Sequence, residues 1–480
     1  MCSKLLARRW PTLAAGLMTL LPAWIMLGPP QRAAFAADPS HVDLVIDTSR
    51  TVGDIDLTRY ALGQGGLSSD PMFDSEVPQI SQLNPQTIRL FVLDHYDIYP
   101  AHGVYQWAKL DRAIETILAT GAKPMMCLAI KPHVLYPKID QDIVHPSNYQ
   151  EWEQLIYQLV KHCNEERKFG IVYWEVGNEG DIGEDGGCPY RFRPDDYVTY
   201  YAHTAAAILR ADPAARVGGP AAADYQTPII DALIAQAGAG KIPLHFISWH
   251  MYDSHPADFR ESIRTIKAKL GNYPGLGGVE TVLDEWNMSL GRPEMNPYFQ
   301  PAFILEVTQV FKHEGLSRSG YYHIRDWYVD LETGWKSMSA EGEAVGLHFW
   351  NVTPQFLGLY DNQGRVRPAY YAFLLLRLIK GREPAITGTN ADVKAFAAAD
   401  EHWTDVVLWN FPGSDPAQSH EVDVRFPADH KGSLRVVRLN PEVPVNNLEV
   451  LRSGKMADLD AQPLRLTVHP YEIFWVEIGR

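Results

Sequence analysis

From residue 57 to about 330 the chain alternates short apolar runs with longer stretches whose apolar residues recur every three to four positions. The runs at 57–62, 87–93, 124–130, 171–176, 216–220, 245–252, 280–285 and 319–327 have the length and composition of strands buried on both faces. Between them, 151–162 puts Trp152, Leu155, Ile156, Leu159 and Val160 on one helical face. Pro194 and Asp195 open a second helix carrying Tyr197, Tyr201, Thr204 and Ile208, and 298–313 aligns Phe303, Val307 and Phe311. Eight strands alternating with helices predict an α/β fold, a (β/α)8 or TIM barrel.

A last helix is expected at 369–380, and beyond Gly381 the pattern changes. Short β patterns at 391–397, 405–410, 421–426, 434–439 and 464–478 are punctuated by Gly, Pro, Asn and Asp, which predicts an accessory β-sandwich domain. The strand-like segment from His41 to Asp47 precedes the barrel and is expected to join that sandwich. The expected division is a leader over 1–36, an N-terminal strand within 37–56, a catalytic barrel over 57–380 and the sandwich over 381–480. No repeat or low-complexity segment interrupts it.

The leader expectation rests on Lys4, Arg8 and Arg9, an apolar stretch from Leu13 to Leu27 broken by Pro22, and Ala34-Phe35-Ala36 as a small-residue cleavage site. The surroundings of Arg8-Arg9 fit a twin-arginine signal poorly, so general secretion to the periplasm or beyond is expected, with no membrane anchor in the mature form. Losing four basic residues and no acids takes the net charge from −15 to −19. So acidic a chain is unsuited to nucleic acid, whose binding depends on neutralising phosphates. The remaining Cys127, Cys163 and Cys188 are odd in number, which excludes a fully paired framework; a Cys163–Cys188 bridge is conceivable. No cofactor or metal is expected: the cysteines lack ligand spacing, and His250 with His255 is a loop-spaced pair without support.

Two strands end in a glutamate beside residues suited to sugar: Ile171-Val172-Tyr173-Trp174 runs towards Asn178-Glu179, and Thr281-Val282-Leu283 towards Glu285-Trp286. Strand ends in such a barrel open onto the catalytic face, and two carboxyls across a cleft are what glycoside hydrolysis needs. Arg89, a charge inside an apolar strand, must be paired. His250 and Tyr252 alternate along one strand and share a face. Thirteen Trp and twenty-three Tyr leave room for sugar platforms, with Trp286 and Trp327 as candidates.

Trp-Glu-Val-Gly-Asn-Glu at 174–179 and Asp-Glu-Trp at 284–286 resemble the acid/base and nucleophile motifs of the clan A retaining glycoside hydrolases, and the layout is most similar to family 39, of β-xylosidases and α-L-iduronidases. The resemblance implies Glu179 as acid/base, Glu285 as nucleophile, Arg89 paired with a catalytic carboxylate, Asn178 on a sugar 2-OH, Tyr252 donating to the nucleophile and His250 contacting a hydroxyl. A carbohydrate is the implied partner. Gly180 stands where the family usually has proline, Asp284 where it has threonine, and Phe91 where its xylosidases have histidine. The Gly-Asn-Glu and Asp-Glu-Trp forms look more like the arabinofuranosidases of family 51. An arabinofuranosidase-like enzyme, a biofilm or exopolysaccharide glycosidase, a transglycosylase and a non-catalytic sugar-binding barrel are the alternatives that stay open, as do sugar, linkage, endo or exo action and oligomeric state.

Overall fold

The computed structural model describes residues 40–479 except 64–72, 292–295, 327, 330–336, 414–416, 427–431, 444–445 and 456–462. The expected leader therefore lies outside the described residues, as does Trp327.

Among the described residues, eight parallel strands close a barrel in chain order: β2 (Tyr60–Gly63), β3 (Thr87–Val92), β4 (Lys123–Leu128), β5 (Tyr173–Val176), β6 (Arg216–Ala222), β7 (Phe246–Tyr252), β8 (Glu280–Asn287) and β9 (Arg318–Tyr322). β2 pairs with both β3 and β9, which closes the ring. The helices begin where local chemistry allows. Asn148 accepts from the amides of Gln150 and Glu151 to start α3 (Tyr149–Lys161), and Pro194 sits in the first turn of α4 (Pro194–Ala211). These follow α1 (Val77–Gln82) and α2 (Ala108–Ala119). α5 (Pro228–Gly238), α6 (Pro256–Gly271), α7 (Phe299–Glu314), α8 (Ala340–Leu347) and α9 (Pro368–Leu376) come after them. The five apolar residues expected on one face of α3 are all buried.

Alternation along the strands sorts the barrel interior into layers. Met125, Tyr173, Phe246 and Val282 form a small apolar cluster. Two residues further along the same strands come Cys127, Glu175, Ser248 and Asp284, all buried, so charge replaces the usual aliphatic layer immediately below the mouth.

The second unit contains, among the described residues, nine strands hydrogen-bonded as one continuous, mostly antiparallel sheet. They are β1 (Ser40–Asp56), β10 (Lys380–Thr387), β11 (Val393–Ala399), β12 (Trp403–Asn410), β13 (His420–Arg425), β14 (Ser433–Leu439), β15 (Leu448–Lys455), β16 (Leu464–Val468) and β17 (Ile473–Gly479). β1 lies antiparallel to β10 and parallel to β13. One apolar cluster draws on nearly every strand, so the sheet bends over and covers itself. The single strand expected at 464–478 is two, β16 and β17, divided at Pro470-Tyr471. The sheet docks on α7, where Phe299 and Phe303 meet Phe411 and where Glu306 accepts from Lys394 Nζ at 2.8 Å and Trp409 Nε1 at 2.9 Å.

Candidate active site

The polypeptide leaves β5 through Gly177 at φ +91° and Glu179 at φ +44°. A left-handed glutamate is strained by roughly 1–3 kcal/mol. It is held there because its amide donates to Ala221 O at 2.8 Å and its carbonyl accepts from Gly183 N at 2.9 Å. This double bend turns Asn178 and Glu179 into the mouth. Gly180 follows because the Phe192 ring lies over it: a Cβ would come within 2.6 Å of that ring, which explains the departure from proline at this point.

On the facing side β8 carries an irregularity. Trp249 of β7 pairs with Leu283, but the next residue, His250, pairs with Glu285. The extra residue is a β-bulge, which re-aims side chains locally. Both Asp284 and Glu285 thereby reach the inner cluster, and Trp286 turns outwards.

Arg89 of β3 organises the centre. Its Nε donates to Glu175 Oε2 at 2.6 Å, Nη1 to Glu285 Oε1 at 2.7 Å, and Nη2 to Asn178 Oδ1 at 2.9 Å. Nη2 also lies 3.1 Å from both Cys127 Sγ and Asp284 Oδ2. Tyr252 donates to Glu285 Oε2 at 2.7 Å. His250 Nδ1 lies 2.8 Å from Glu179 Oε1 and 3.4 Å from Glu285 Oε2, and its Nε2 lies 3.2 Å from Asp284 Oδ2.

Burial opposes charge on His250, but Glu285 and Asp284, with hydrogen bonds to Asp284 and Glu179, hold its pKa well above the usual imidazole range. The charged ring is thereby favoured, with each nitrogen facing a carboxylate oxygen to which it can donate. Burial would also raise Asp284; Arg89 and His250 outweigh it and hold that carboxyl below its usual range. For Glu285, burial with Glu179 and Asp284 nearby wins over His250 and Arg89, and its pKa is raised. One potential ligand atom each from Glu179, His250 and Glu285 lies within 4.8 Å of the others. That spacing would suit a small cation, but an imidazolium has no lone pair to offer one.

The structure thus brings together Arg89, Asn178, Glu179, His250, Tyr252 and Glu285. Two expectations need correcting. Trp286 is not a sugar platform: it is fully buried, edge-on to Phe311 at 5.0 Å and Tyr321 at 5.2 Å, because the residue after Glu285 points out of the barrel into the helix layer. Nor does His250 offer itself to a sugar hydroxyl, since both ring nitrogens are committed to carboxylates. Asn178 uses Oδ1 on Arg89, and its Nδ2 has no partner among the described residues. Sequence reasoning missed Glu175 and Asp284; strand alternation points to both, since they follow the inward Tyr173 and Val282 by two, whereas only the bulge explains how Glu285 comes to join Asp284 on the inner side.

The segments around 131–140, 184–189 and 337–339 are tied together by buried polar groups. Lys131 Nζ donates to Asp140 O at 2.7 Å and Pro189 O at 2.9 Å. Ser337 donates to Asp94, and Ser339 N to Glu184 Oε1 at 2.6 Å. Cys163 and Cys188 are each buried and free, as is Cys127.

Residues 88–409 match the model of glycosyl hydrolases family 39. The chain belongs to that family. This family 39 chain is 26% identical over 312 residues to a β-xylosidase of Caldicellulosiruptor saccharolyticus, covering 58% of this chain and 57% of that protein. It is 24% identical over 250 residues to a β-xylosidase of Geobacillus stearothermophilus, covering 45% and 44%. The match thus spans less than two thirds of either relative. Among solved structures, the family 39 enzyme of Xanthomonas axonopodis pv. citri superposes with a TM-score of 0.75 at 18% identity, over 94% of this chain and 99% of that one. The monomeric β-xylosidase of Caulobacter crescentus does so with a TM-score of 0.71 at 20% identity, over 91% and 99%. They share the barrel and its accessory sheet with the family 39 chain described above.

Proposed function

We propose that this family 39 protein is an exported retaining glycoside hydrolase, β-xylosidase-like, that cleaves O-glycosidic bonds of a plant or microbial polysaccharide or oligosaccharide by double displacement. One observation supports the retaining mechanism: Glu179 and Glu285 converge on the same His250 Nδ1, at 2.8 and 3.4 Å, with their nearest oxygens within 4.8 Å of each other, which leaves a short gap between the two carboxyls. Inverting enzymes hold their carboxyls about 6.5–9.5 Å apart to admit a water, whereas retaining ones keep them about 5–5.5 Å apart.

In this reading Glu285, held ionised by Arg89 and Tyr252, attacks the anomeric carbon. Glu179 gives its proton to the departing oxygen, so that the C–O bond breaks as the glycosyl ester forms. Water then adds to the anomeric carbon, Glu179 takes its proton, and Glu285 leaves as carboxylate. Asn178, with Oδ1 fixed on Arg89, presents its amide to the sugar 2-OH. The β-xylosidase relatives support a xyloside-type substrate. Export is supported by the basic start, apolar run and small-residue site of the first 36 residues. Among the described residues no helix is long and apolar enough to cross a membrane.

The test is release of sugar from a panel of aryl xylosides, arabinosides, glucosides, galactosides and uronides by the mature protein and by Glu285→Ala, with the anomeric product followed by proton NMR. Release with retained configuration that vanishes in the variant is expected. Release surviving the substitution, or inverted product, overturns the assignment; silence across the panel favours a non-catalytic sugar-binding barrel.

A further inference from the structure

Glu175 on β5 and Asp284 on β8 face the same guanidinium and lie within hydrogen-bonding reach of each other, with no water-exposed surface to dilute their charges. Glu175 is 0% exposed, Asp284 1% and Arg89 2%. Each carboxyl has one oxygen served: Glu175 Oε2 by Arg89 Nε at 2.6 Å, and Asp284 Oδ2 by Arg89 Nη2 at 3.1 Å and His250 Nε2 at 3.2 Å. The other two oxygens, Glu175 Oε1 and Asp284 Oδ1, are buried without a hydrogen-bond partner among the described residues. Two ionised carboxylates would leave both as bare anionic acceptors in a dry site, which proteins avoid. A single proton between them satisfies both.

We infer that Glu175 is a neutral carboxylic acid that donates its proton to Asp284, and that it acts as a positioning residue keeping Arg89 free to hold the nucleophile Glu285 ionised. The proton belongs on Glu175 because Asp284 touches two cations and Glu175 only one. Charge then balances: with Glu179 protonated as the acid, Arg89 and His250 face Asp284 and Glu285. An ionised Glu175 would compete with Glu285 for the guanidinium and place another negative charge beside it.

The groups facing Glu175 from the packed elements are Arg89 on β3, Cys127 on β4, Asp284 on β8, the Ser248 hydroxyl on β7 and Tyr197 on α4, whose hydroxyl is committed to Val176 O at 2.7 Å. Of these Arg89 and, more weakly, the Ser248 hydroxyl favour ionisation; burial first and then Asp284 work the other way and win, so Glu175 is pushed up to about 8.

The inference rests on the retaining-hydrolase reading for its purpose but not for its test. Infrared spectra of the full chain labelled with carboxyl-13C glutamate are taken at neutral pH in the Glu179→Gln variant, which removes the acid's own proton. A label-sensitive carboxylic acid C=O band is expected there, and it should vanish in Glu175→Gln/Glu179→Gln. Absence of the band in Glu179→Gln, or its survival in the double variant, overturns the inference whether or not any glycoside is hydrolysed. Where a substrate is in hand, Glu175→Gln replaces one neutral group by another, so the acid limb of kcat/KM, set by Glu285, keeps its position. Were Glu175 an anion, its removal would move that limb down by about one pH unit, and such a shift also overturns the inference.

Discussion

His250 Nδ1 lies 2.8 Å from Glu179 Oε1, and the imidazolium, fixed from behind by Asp284, donates that hydrogen bond. In the proposed mechanism this donation engages Oε1, which leaves Oε2 to carry the proton delivered to the leaving group. Replacing His250 with Asn removes both the charge and the grip. Glycosides with poor leaving groups, which depend on protonation, are expected to lose about 10²–10³-fold in kcat/KM. Activated dinitrophenyl glycosides should lose far less. A plot of log kcat/KM against leaving-group pKa should steepen; an equal loss for every leaving group would contradict this role.

Gly186 bears on the same oxygen from the other side. A Cβ there would lie 2.1 Å from Glu179 Oε2 and 2.9 Å from Glu179 Cβ. Both are closer than atoms can pack, so Gly186→Ala must displace the Glu179 carboxyl, the acid of the proposed mechanism. A shift of about 1 Å at a reacting group costs on the order of 10²-fold. The expected result is a kcat loss approaching that size with the melting temperature nearly unchanged, because Gly186 is not in the left-handed region and an alanine backbone is tolerated there. An equal fall in folding stability would point to a structural effect instead.

Much of this site was legible in the chain, and the limits are physical. Period-two alternation correctly grouped His250 with Tyr252, and the apolar strand ends located Glu179 and Glu285. The same alternation, applied strictly to β8, puts Asp284 on the face opposite Glu285. A one-residue bulge defeats it, and a bulge depends on pairing with β7, which no local pattern encodes. Trp286 was misjudged because an aromatic beside a catalytic residue has the same composition whether it faces sugar or helix. In the accessory sheet β15 went unseen because it is exposed along most of both faces and carries no burial alternation. Where the chain buries one face, its sequence spells out the fold; where strands lie at an edge or slip register, it does not.

Asp326 ties the mouth to the segment that leads into α9. Its carboxylate receives Arg367 and the Gly358 amide, the latter at 2.9 Å, and lies 3.4 Å from His323 Nε2. Burial would raise its pKa, but His323 and Arg367 win and lower it from 3.8 to about 2. A carboxyl depressed on folding stabilises the protein above its unfolded pKa and loses that contribution as pH falls through the folded value. The contribution is on the order of 2 kcal/mol. Urea unfolding should show Asp326→Asn weaker than the parent by about that amount at pH 6. The two should converge as pH approaches 2. A constant gap at all pH values would mean that packing, not ionisation, accounts for the loss.

Tyr252 donates to Glu285 Oε2 at 2.7 Å, and a donor to a carboxylate favours its ionised form. Glu285 already has a raised pKa, through burial first and then the nearby Glu179 and Asp284, against the pull of His250 and Arg89. Tyr252→Phe removes one of the groups opposing that rise, so the pKa climbs further. A nucleophile works only when ionised, hence the acid limb of kcat/KM should move to higher pH. In the proposed mechanism the same hydroxyl would steady Glu285 as it leaves the glycosyl ester, so kcat at the optimum should also drop, by about 10²-fold if it acts like a single lost transition-state donor. Stopped-flow release of an aryl leaving group across pH separates the two effects. A limb that stays in place while kcat falls would show that Tyr252 serves the ester-breaking step alone. A limb moving to lower pH would mean that the hydroxyl does not donate to Glu285 in the working enzyme.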